Sequence, residues 1–339
     1  MADDVLLEVN QLKTYFYMGG NVAKAVDGVD FTIKKGKTLA IVGESGSGKS
    51  MTSLSIMQLV PGPTGKIVDG AVKLSGKDLL KLSDKQMEKV RGNEIGMVFQ
   101  EPMTSLNPVF TVGTQIKEPL MKHRGLSKSQ AFQKGVELLK LVGFPRAEDT
   151  MKEFPHQLSG GMRQRVMIAI AMSCDPKLLI ADEPTTALDV TIQAQILDLM
   201  KKVQKEFDSS ILLITHDLGV VAEMADDIIV MYGGQVVEQA TRRQLLKTPK
   251  HPYTVGCWKV MPSLTSNKER LTSIRGSVPP AHSFPEGCRF APRCDFATEN
   301  CTKDIPELVN NENEHLVRCI LYAEQGGQRY DDVTTSQRA

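Results

Sequence analysis

The sequence predicts an α/β protein whose core is a mostly parallel β-sheet covered by helices on both faces. Three short apolar runs, separated by helical stretches, carry this prediction; they lie at residues 38–42, 178–181 and 211–215. A parallel strand packs against helices on both faces, so it appears in sequence as a continuous apolar run. Residues 50–60 form the predicted helix after the first strand, and the sequence Pro61-Gly62-Pro63 stops it.

The composition changes along the chain and predicts its organisation. Residues 1–240 form the predicted sheet domain, and a long polar helical stretch at about 111–174 is interpreted as a subdomain inserted into it. Proline, cysteine and polar residues become frequent over 241–325, which predicts a C-terminal extension containing cysteines. The polar residues 326–339 are predicted to form a mobile tail.

The charge and the termini exclude several functional classes. Lys and Arg number 41 and Asp and Glu 40, so a broad basic surface for nucleic acid is not expected. No apolar run approaches the roughly 18 residues of a membrane span. Asp3 and Asp4 stand where a secretory signal would carry basic residues. These features predict a chain kept in the reducing cytoplasm, without a nucleic-acid partner.

A glycine-rich segment after the first strand predicts a phosphate-binding loop. Residues 43–50, GESGSGKS, fit the pattern G-x-x-x-x-G-K-[ST] between a strand and a helix. Backbone amides of such a loop surround phosphate oxygens, the lysine reaches the β- and γ-phosphates, and the last hydroxyl binds Mg²⁺. The predicted nucleotide-binding residues here are Gly43, Ser45, Gly46, Ser47, Gly48, Lys49, Ser50 and Thr52.

Two carboxylates follow the second apolar run. Asp182 and Glu183 stand at the carboxyl end of the predicted strand, where ligands bind in open α/β sheets. Asp182 is predicted to act on Mg²⁺, directly or through water. Glu183 is predicted to polarise the water that attacks the γ-phosphate.

A second candidate anion site lies about 20 residues before these carboxylates. Residues 158–165 read LSGGMRQR, with Ser159 as a predicted helix N-cap. One nucleotide cannot easily use two separate helix N-termini from one compact subunit. The alternative interpretation is an ordinary helix cap followed by a glycine hinge.

The chain resembles the ATP-binding cassette ATPases over about residues 5–240. The resemblance rests on four motifs in order: the phosphate loop, LSGGMRQR, the Asp182-Glu183 pair and His216 after the third strand. The resemblance implies a RecA-like P-loop NTPase fold that binds ATP and Mg²⁺. It implies a head-to-tail dimer in which one subunit closes over the γ-phosphate held by the other. By this resemblance, Gln100 senses Mg²⁺ and the attacking water, and His216 contacts the γ-phosphate. Asp189 lies at the dimer seam. The γ-phosphate is contacted across the seam by Ser159, Gly160 and Gly161.

The same resemblance implies an aromatic residue that stacks on adenine. Tyr15, Phe16 and Tyr17 are the candidates, and the spacing from Leu12 favours Phe16.

Three further segments resemble the D-type ATP-binding subunits of bacterial dipeptide and oligopeptide importers. They are FQEPMTSLNP at 99–108, HPYT at 251–254 and GCRFAPRC at 287–294. The resemblance implies two membrane permease subunits, a paralogous F-type ATPase or a second copy as dimer partner, and an extracellular peptide-binding protein. It places the chain at the cytoplasmic face of the cell membrane. Nickel and glutathione importers share these segments and remain alternatives.

Four of the six cysteines crowd the last quarter of the chain. The spacing of Cys288, Cys294, Cys301 and Cys319 contains no C-x-x-C pair, so the usual structural zinc pattern is not met. Four thiolates accept either Zn²⁺ or an iron–sulfur cluster, and free thiols are the third alternative. The resemblance favours a [4Fe–4S] cluster. A metal- or redox-sensing ATPase built on this cluster is a rival function.

Overall fold

A computed structural model describes residues 4–100, 105–186, 188–259, 274–310 and 314–323. The chain divides into two compact units. The first unit comprises Met1–Glu8, Thr32–Thr38 and Lys73–Ile214, and the second comprises Val9–Phe31, Leu39–Val72 and Thr215–Ala339. The predicted tail at 326–339 lies outside the described residues.

The elements follow one another as strands and helices along the described residues. The strands are β1 (Val5–Met18), β2 (Asn21–Lys34), β3 (Thr38–Val42), β4 (Gly65–Leu74), β5 (Lys77–Asp78), β6 (Ile95–Val98), β7 (Leu178–Asp182), β8 (Ser210–Ile214), β9 (Asp227–Tyr232), β10 (Gln235–Thr241), β11 (Val309–Asn310) and β12 (Leu316–Val317). The α-helices are α1 (Lys49–Ile56), α2 (Asp84–Met87), α3 (Val112–Arg124), α4 (Lys128–Leu141), α5 (Ala147–Thr150), α6 (Gly160–Ala171), α7 (Val190–Glu206), α8 (Leu218–Met224), α9 (Arg242–Lys247), α10 (Pro252–Lys259), α11 (Asn300–Lys303) and α12 (Ile320–Ala323).

The first unit contains parallel strands in the order β6-β7-β8. Ile180 of β7 lies opposite Met97 on one side and Leu212 on the other. Every residue of β7 and β8 is buried, which is the pattern of a strand covered on both faces. The apolar runs at 178–181 and 211–215 are therefore confirmed as buried strands.

Helices α3 to α6 occupy residues 112–171 of the first unit. Polar side chains begin them: the Thr111 hydroxyl accepts from Thr114 N and that of Ser127 from Gln130 N. Gly125 ends α3 in the left-handed conformation. The region 111–174 is thus mainly helical, and its behaviour as a separate subdomain stays a prediction.

The second unit places β3 parallel to β9, with Val42 opposite Val230. Strand β10 pairs antiparallel with β9 on one side and with β12 on the other. The buried strand predicted at 38–42 is confirmed as β3. Since β10 extends to Thr241 and pairs with Leu316, the C-terminal extension adds a strand to this sheet. The domain boundary near residue 240 stays a prediction.

The helix predicted at 50–60 is wrong at its C-terminal end, because α1 stops at Ile56. Gln58 adopts a left-handed φ of 49°. The Gln58 amide donates to Ser55 O and the Leu59 amide donates to Leu54 O, at 3.0 and 2.8 Å. These two bonds form a Schellman motif, so the helix ends before the prolines are reached.

The end of β4 pairs antiparallel with β5 in the first unit, with Lys73 opposite Asp78. Among the described residues no helix is both long enough and apolar enough to cross a bilayer.

Candidate functional site

The segment between β3 and α1 forms a tight backbone loop in the second unit. Gly43 has a φ of 154° and Gly48, the N-cap of α1, has a φ of 100°. A Cβ on Gly43 would lie 2.3 Å from Met231 O, and one on Gly48 would lie 2.4 Å from Ala25 O. Only glycine fits both positions, so the sequence of this loop is dictated by close backbone packing as well as by φ.

The side chains of the loop converge on its backbone. Lys49 Nζ donates to Gly43 O at 2.7 Å and to Glu44 O at 3.0 Å. The buried Ser47 Oγ has no hydrogen-bond partner among the described residues. Thr52 is fully buried and its hydroxyl donates to Gly48 O at 3.0 Å, so it supports the loop from inside α1. A lysine, a spare buried hydroxyl and a glycine cradle fit a phosphate group.

The end of β7 in the first unit carries the predicted carboxylates. Asp182 is buried, and Glu183 adopts a φ of 48°, which is uncommon for a residue with a side chain. The Glu183 amide donates to Ile214 O at 2.8 Å. A backbone held in this conformation at a strand end is typical of functional sites.

Glu183 and Gln100, predicted from separate parts of the sequence, meet in the structure. Gln100 Nε2 donates to Glu183 Oε2 at 3.0 Å, and Thr186 Oγ1 donates to the same oxygen at 2.9 Å. The glutamate is therefore oriented by two donors. Thr186 was not predicted from the sequence. Its position three residues after Glu183 could have indicated that its hydroxyl lies within reach of the carboxylate.

The N-termini of α6 and α7 also lie together in the first unit. Ser159 Oγ accepts from Met162 N at 3.4 Å, which confirms the predicted N-cap. Asp189 caps α7 by accepting from Ile192 N at 2.9 Å. A Cβ on Gly161 would lie 2.8 Å from the Ile192 side chain, so the two helix starts are in contact. Ser159 and Gly160 are exposed.

His216 lies in the second unit directly after Thr215, whose amide donates to Ile41 O of β3. It lines a cavity of about 720 Å³ together with Gly43 and Glu44 of the loop. The histidine thus faces the same space as the start of the phosphate loop.

Comparison with known proteins gives the family. The profile of the family described as "ABC transporter" matches residues 26–186, and that of "Oligopeptide/dipeptide transporter, C-terminal region" matches 237–301. The oligopeptide transport ATP-binding protein AppD of Bacillus subtilis is 59% identical over 324 residues, which cover 96% of this chain and 99% of AppD. The chain belongs to the ABC-transporter ATPases.

Other relatives agree with this membership. The dipeptide transport ATP-binding protein DppD of Bacillus subtilis is 49% identical over 93% of this chain and 94% of its own length. A dimeric ATP-binding cassette solved in a post-hydrolysis state with ADP and Pi is 31% identical, with a TM-score of 0.63 over 70% of this chain and 99% of that one. The predicted α/β cassette fold is confirmed. An ABC-transporter ATPase hydrolyses ATP with Mg²⁺ and works with permease subunits in the membrane.

The adenine-stacking residue of this ABC ATPase stays a prediction. Tyr15 donates its phenol to the Asp27 carboxylate, and burial raises the pKa of that phenol. Tyr17 is 45% exposed, and the Phe16 ring lies against Gly65. The side chains of the three candidates thus differ in their contacts and exposure, and Phe16 remains the residue predicted to stack on adenine.

The four C-terminal cysteines line one small cavity of about 20 Å³ beside His251 and Phe290. None of these four cysteines forms a disulfide, and burial raises the pKa of Cys294 to about 11 and that of Cys319 to about 12. Over the parts of the chain that the structure describes, no group of three or more His, Cys, Asp or Glu residues could hold a metal ion. The predicted metal centre is therefore not supported by this geometry.

Proposed function

We propose that this chain is the ATP-hydrolysing subunit that powers import of dipeptides or oligopeptides through a membrane ABC transporter. The observation that carries the proposal is the match of residues 237–301 to the C-terminal region of oligopeptide and dipeptide transporters, in a chain that also carries a nucleotide site. AppD and DppD, which are similar along nearly their whole length, are named for oligopeptide and dipeptide transport.

Phosphate binding belongs to the glycine-rich loop in this proposal. Lys49 leaves its two carbonyl partners for the phosphates, and the Ser47 hydroxyl and loop amides bind the oxygens. Ser50, Gln100 and Asp182 would hold Mg²⁺, which when bound neutralises charge on the phosphate oxygens.

Hydrolysis belongs to the residues at the end of β7. The Glu183 carboxylate, oriented by Gln100 and Thr186, accepts a proton from water and directs that water at the γ-phosphate. His216 contacts the γ-phosphate and stabilises the charge that develops there. The nucleotide site of a second cassette is completed by Ser159, Gly160, Gly161 and Asp189 of this chain. That second cassette is either another copy or an F-type paralogue. The exposure of Ser159 and Gly160 supports this role.

The permease contacts the first unit in this proposal, at the cytoplasmic face of the membrane. A cavity of about 570 Å³ there is lined by Phe99, Leu106, Asn107 and Phe110, by residues of α3, and by Met167 and Ile170 of α6. Phe110 is half exposed and Val109 is 71% exposed. Apolar side chains exposed beside a groove favour a protein partner, and Phe99 adjoins Gln100, so this groove can report the state of the nucleotide site.

Asn107→Cys is expected to cross-link to a cytoplasmic loop of a permease subunit in the assembled complex. Gln115 holds the Asn107 backbone by two bonds, from Asn107 N to its Oε1 at 2.9 Å and from its Nε2 to Asn107 O at 3.0 Å. A cysteine there therefore keeps a fixed position. Mass spectrometry identifies the product, and Glu137→Cys on α4, outside the groove, is the matched control. A product at Glu137 but none at Asn107 or its neighbours contradicts this docking surface.

The substrate class is tested by ATP hydrolysis of the reconstituted complex. We expect hydrolysis to rise when the cognate binding protein is added with a dipeptide or oligopeptide. Stimulation by nickel or glutathione in place of peptide would instead support the related importers whose segments this chain shares.

The cysteines of the extension are proposed to hold a [4Fe–4S] cluster, with Zn²⁺ as the alternative. The support is the chemistry of four thiols that line one cavity, since either group accepts four cysteines. A cluster here would add to the folding of the extension and would not take part in hydrolysis.

Protein purified without oxygen is expected to be brown, to absorb near ~400 nm and to contain about four iron atoms per chain. Cys294→Ser should abolish the iron, whereas Cys174→Ser, a change outside the cavity, should not. Stoichiometric zinc without iron would show that the cysteines hold Zn²⁺ and not a cluster. If neither metal is present, the four cysteines are plain thiols. If iron is present but its loss in Cys294→Ser leaves ATP hydrolysis unchanged, a sensing function loses its support.

A further inference from the structure

The second residue of the phosphate loop forms an ion pair with the cysteine-containing segment of the extension. Arg293 Nη1 donates to Glu44 Oε2 at 2.9 Å and Arg293 Nη2 donates to Glu44 Oε1 at 3.2 Å. The pair is bidentate, the stronger and more directional form of this interaction. The Arg293 side chain is 5% exposed and that of Glu44 is 35% exposed, so water screens the pair only from the glutamate side.

Arg293 is itself held in place by other contacts. Its Nε donates to Arg275 O at 2.8 Å and its Nη2 donates to Gly276 O at 3.2 Å. Its guanidinium group lies over the ring of Tyr232, 5.6 Å from the centroid. An arginine fixed in this way holds its charge at one position beside Glu44 and does not exchange its hydrogen bonds to the protein for hydrogen bonds to water.

The extension makes a second contact with the same loop residue, this time with its backbone. The Glu44 amide donates to the phenol oxygen of the buried Tyr253 at 2.9 Å. The Glu44 carbonyl accepts from Lys49 Nζ. Amide, carbonyl and carboxylate of Glu44 are thus all engaged, two of them by the extension.

The charge on Glu44 poses a problem for nucleotide binding. A triphosphate enters this loop with several negative charges, and an unpaired carboxylate on the loop repels it. Arg293 removes that repulsion and holds the loop peptide against which Lys49 rests. Arg293 follows Pro292 and precedes Cys294, so this function couples the ordering of the cysteine segment to the affinity for nucleotide.

We propose that Arg293 is a positioning residue for ATP, which acts by pairing with Glu44 in the phosphate loop. The proposal rests on the part of the proposed function that assigns nucleotide binding to this loop, and it does not depend on the transported substrate.

The test measures the Kd for MgATP of the purified full chain by equilibrium titration. Arg293→Met replaces the arginine with a shorter, unbranched apolar side chain and removes its charge, so we expect binding to weaken about tenfold, the order of effect that one unit charge has on another at this depth. The loss should shrink with added salt, because screening weakens the repulsion. Arg293→Lys, which keeps the charge without the fork, should lose less.

A second substitution separates charge pairing from a general structural role. Glu44→Gln in the Arg293→Met background removes the unpaired carboxylate and leaves no net side-chain charge at this position, as in the wild-type ion pair, so affinity should return close to that of the wild type. Arg242→Met, on the exposed face of α9, is the matched control and should bind as the wild type does. Glu44→Gln and Arg293→Lys keep the test informative should Arg293→Met fold poorly.

An unchanged Kd in Arg293→Met and Arg293→Lys would overturn the proposal. So would a loss that Glu44→Gln fails to reverse, because the arginine would then act on the fold and not through Glu44. If the wild-type chain binds no MgATP, the assignment of the phosphate loop fails first, and this result is distinguishable because no variant is needed to see it.

Discussion

Glu183→Gln is expected to lower ATP turnover by about a hundredfold or more while ATP still binds. The glutamine keeps the shape of the side chain and remains within reach of Gln100 and Thr186, but it cannot accept the proton of the attacking water. Glutamine and glutamate branch alike, so we expect residue 183 to keep its φ of 48° and the backbone of the site to be retained. Turnover is measured in the assembled transporter with the change in every copy of this chain.

The matched control for this substitution is Glu94→Gln. Glu94 forms an exposed ion pair with Lys177 in the first unit, and such pairs contribute little to stability. The control should hydrolyse ATP at the wild-type rate. Normal turnover by Glu183→Gln at the site that Glu183 faces would show that another group positions the water.

Ser159→Arg is expected to abolish ATP-driven dimer closure and to leave ATP binding by the isolated subunit unchanged. Ser159 is exposed at the start of α6, so a long charged side chain fits the monomer but obstructs a partner that approaches this face. Sedimentation with and without MgATP measures closure, and the Glu183→Gln background prevents hydrolysis from reopening the dimer.

Ser127→Arg provides the control for the lost helix cap. Ser127 is also exposed and caps α4, so both substitutions remove one N-cap, at a cost of about 1 kcal/mol of stability each. Only Ser159→Arg should block closure. Loss of ATP binding by the isolated Ser159→Arg subunit would place this segment in the nucleotide site of its own chain.

Features that depend on local sequence were predictable. The strands β3, β7 and β8 are continuous apolar runs because each is covered on both faces, and their ends were predicted to within one residue. The phosphate loop was predicted because its glycines are required by backbone approach, as the positions of Met231 O and Ala25 O show. The N-cap at Ser159 followed from the chemistry of helix termini.

Features without a local sequence signal were not predictable. The end of α1 is set by the conformation of Gln58, a residue with no particular preference for a left-handed φ. The pairing of Glu44 with Arg293 joins residues 249 positions apart, and no local pattern identifies one arginine among several as the partner. The four cysteines were predicted to lie together, and they line one cavity, but the position of His251 beside them was not predicted.

ATP hydrolysis by this chain is proposed to drive peptide import, and uptake measures this coupling most directly. The chain is reconstituted in vesicles with its permease subunits, its ATPase partner and the binding protein, with MgATP sealed on the side of the ATP-binding subunits. We expect a labelled dipeptide or oligopeptide to accumulate against its gradient with the wild-type chain and not with Glu183→Gln, if hydrolysis by this chain drives import. Accumulation that is equal with Glu183→Gln, or hydrolysis by the wild-type complex without peptide uptake, would contradict it.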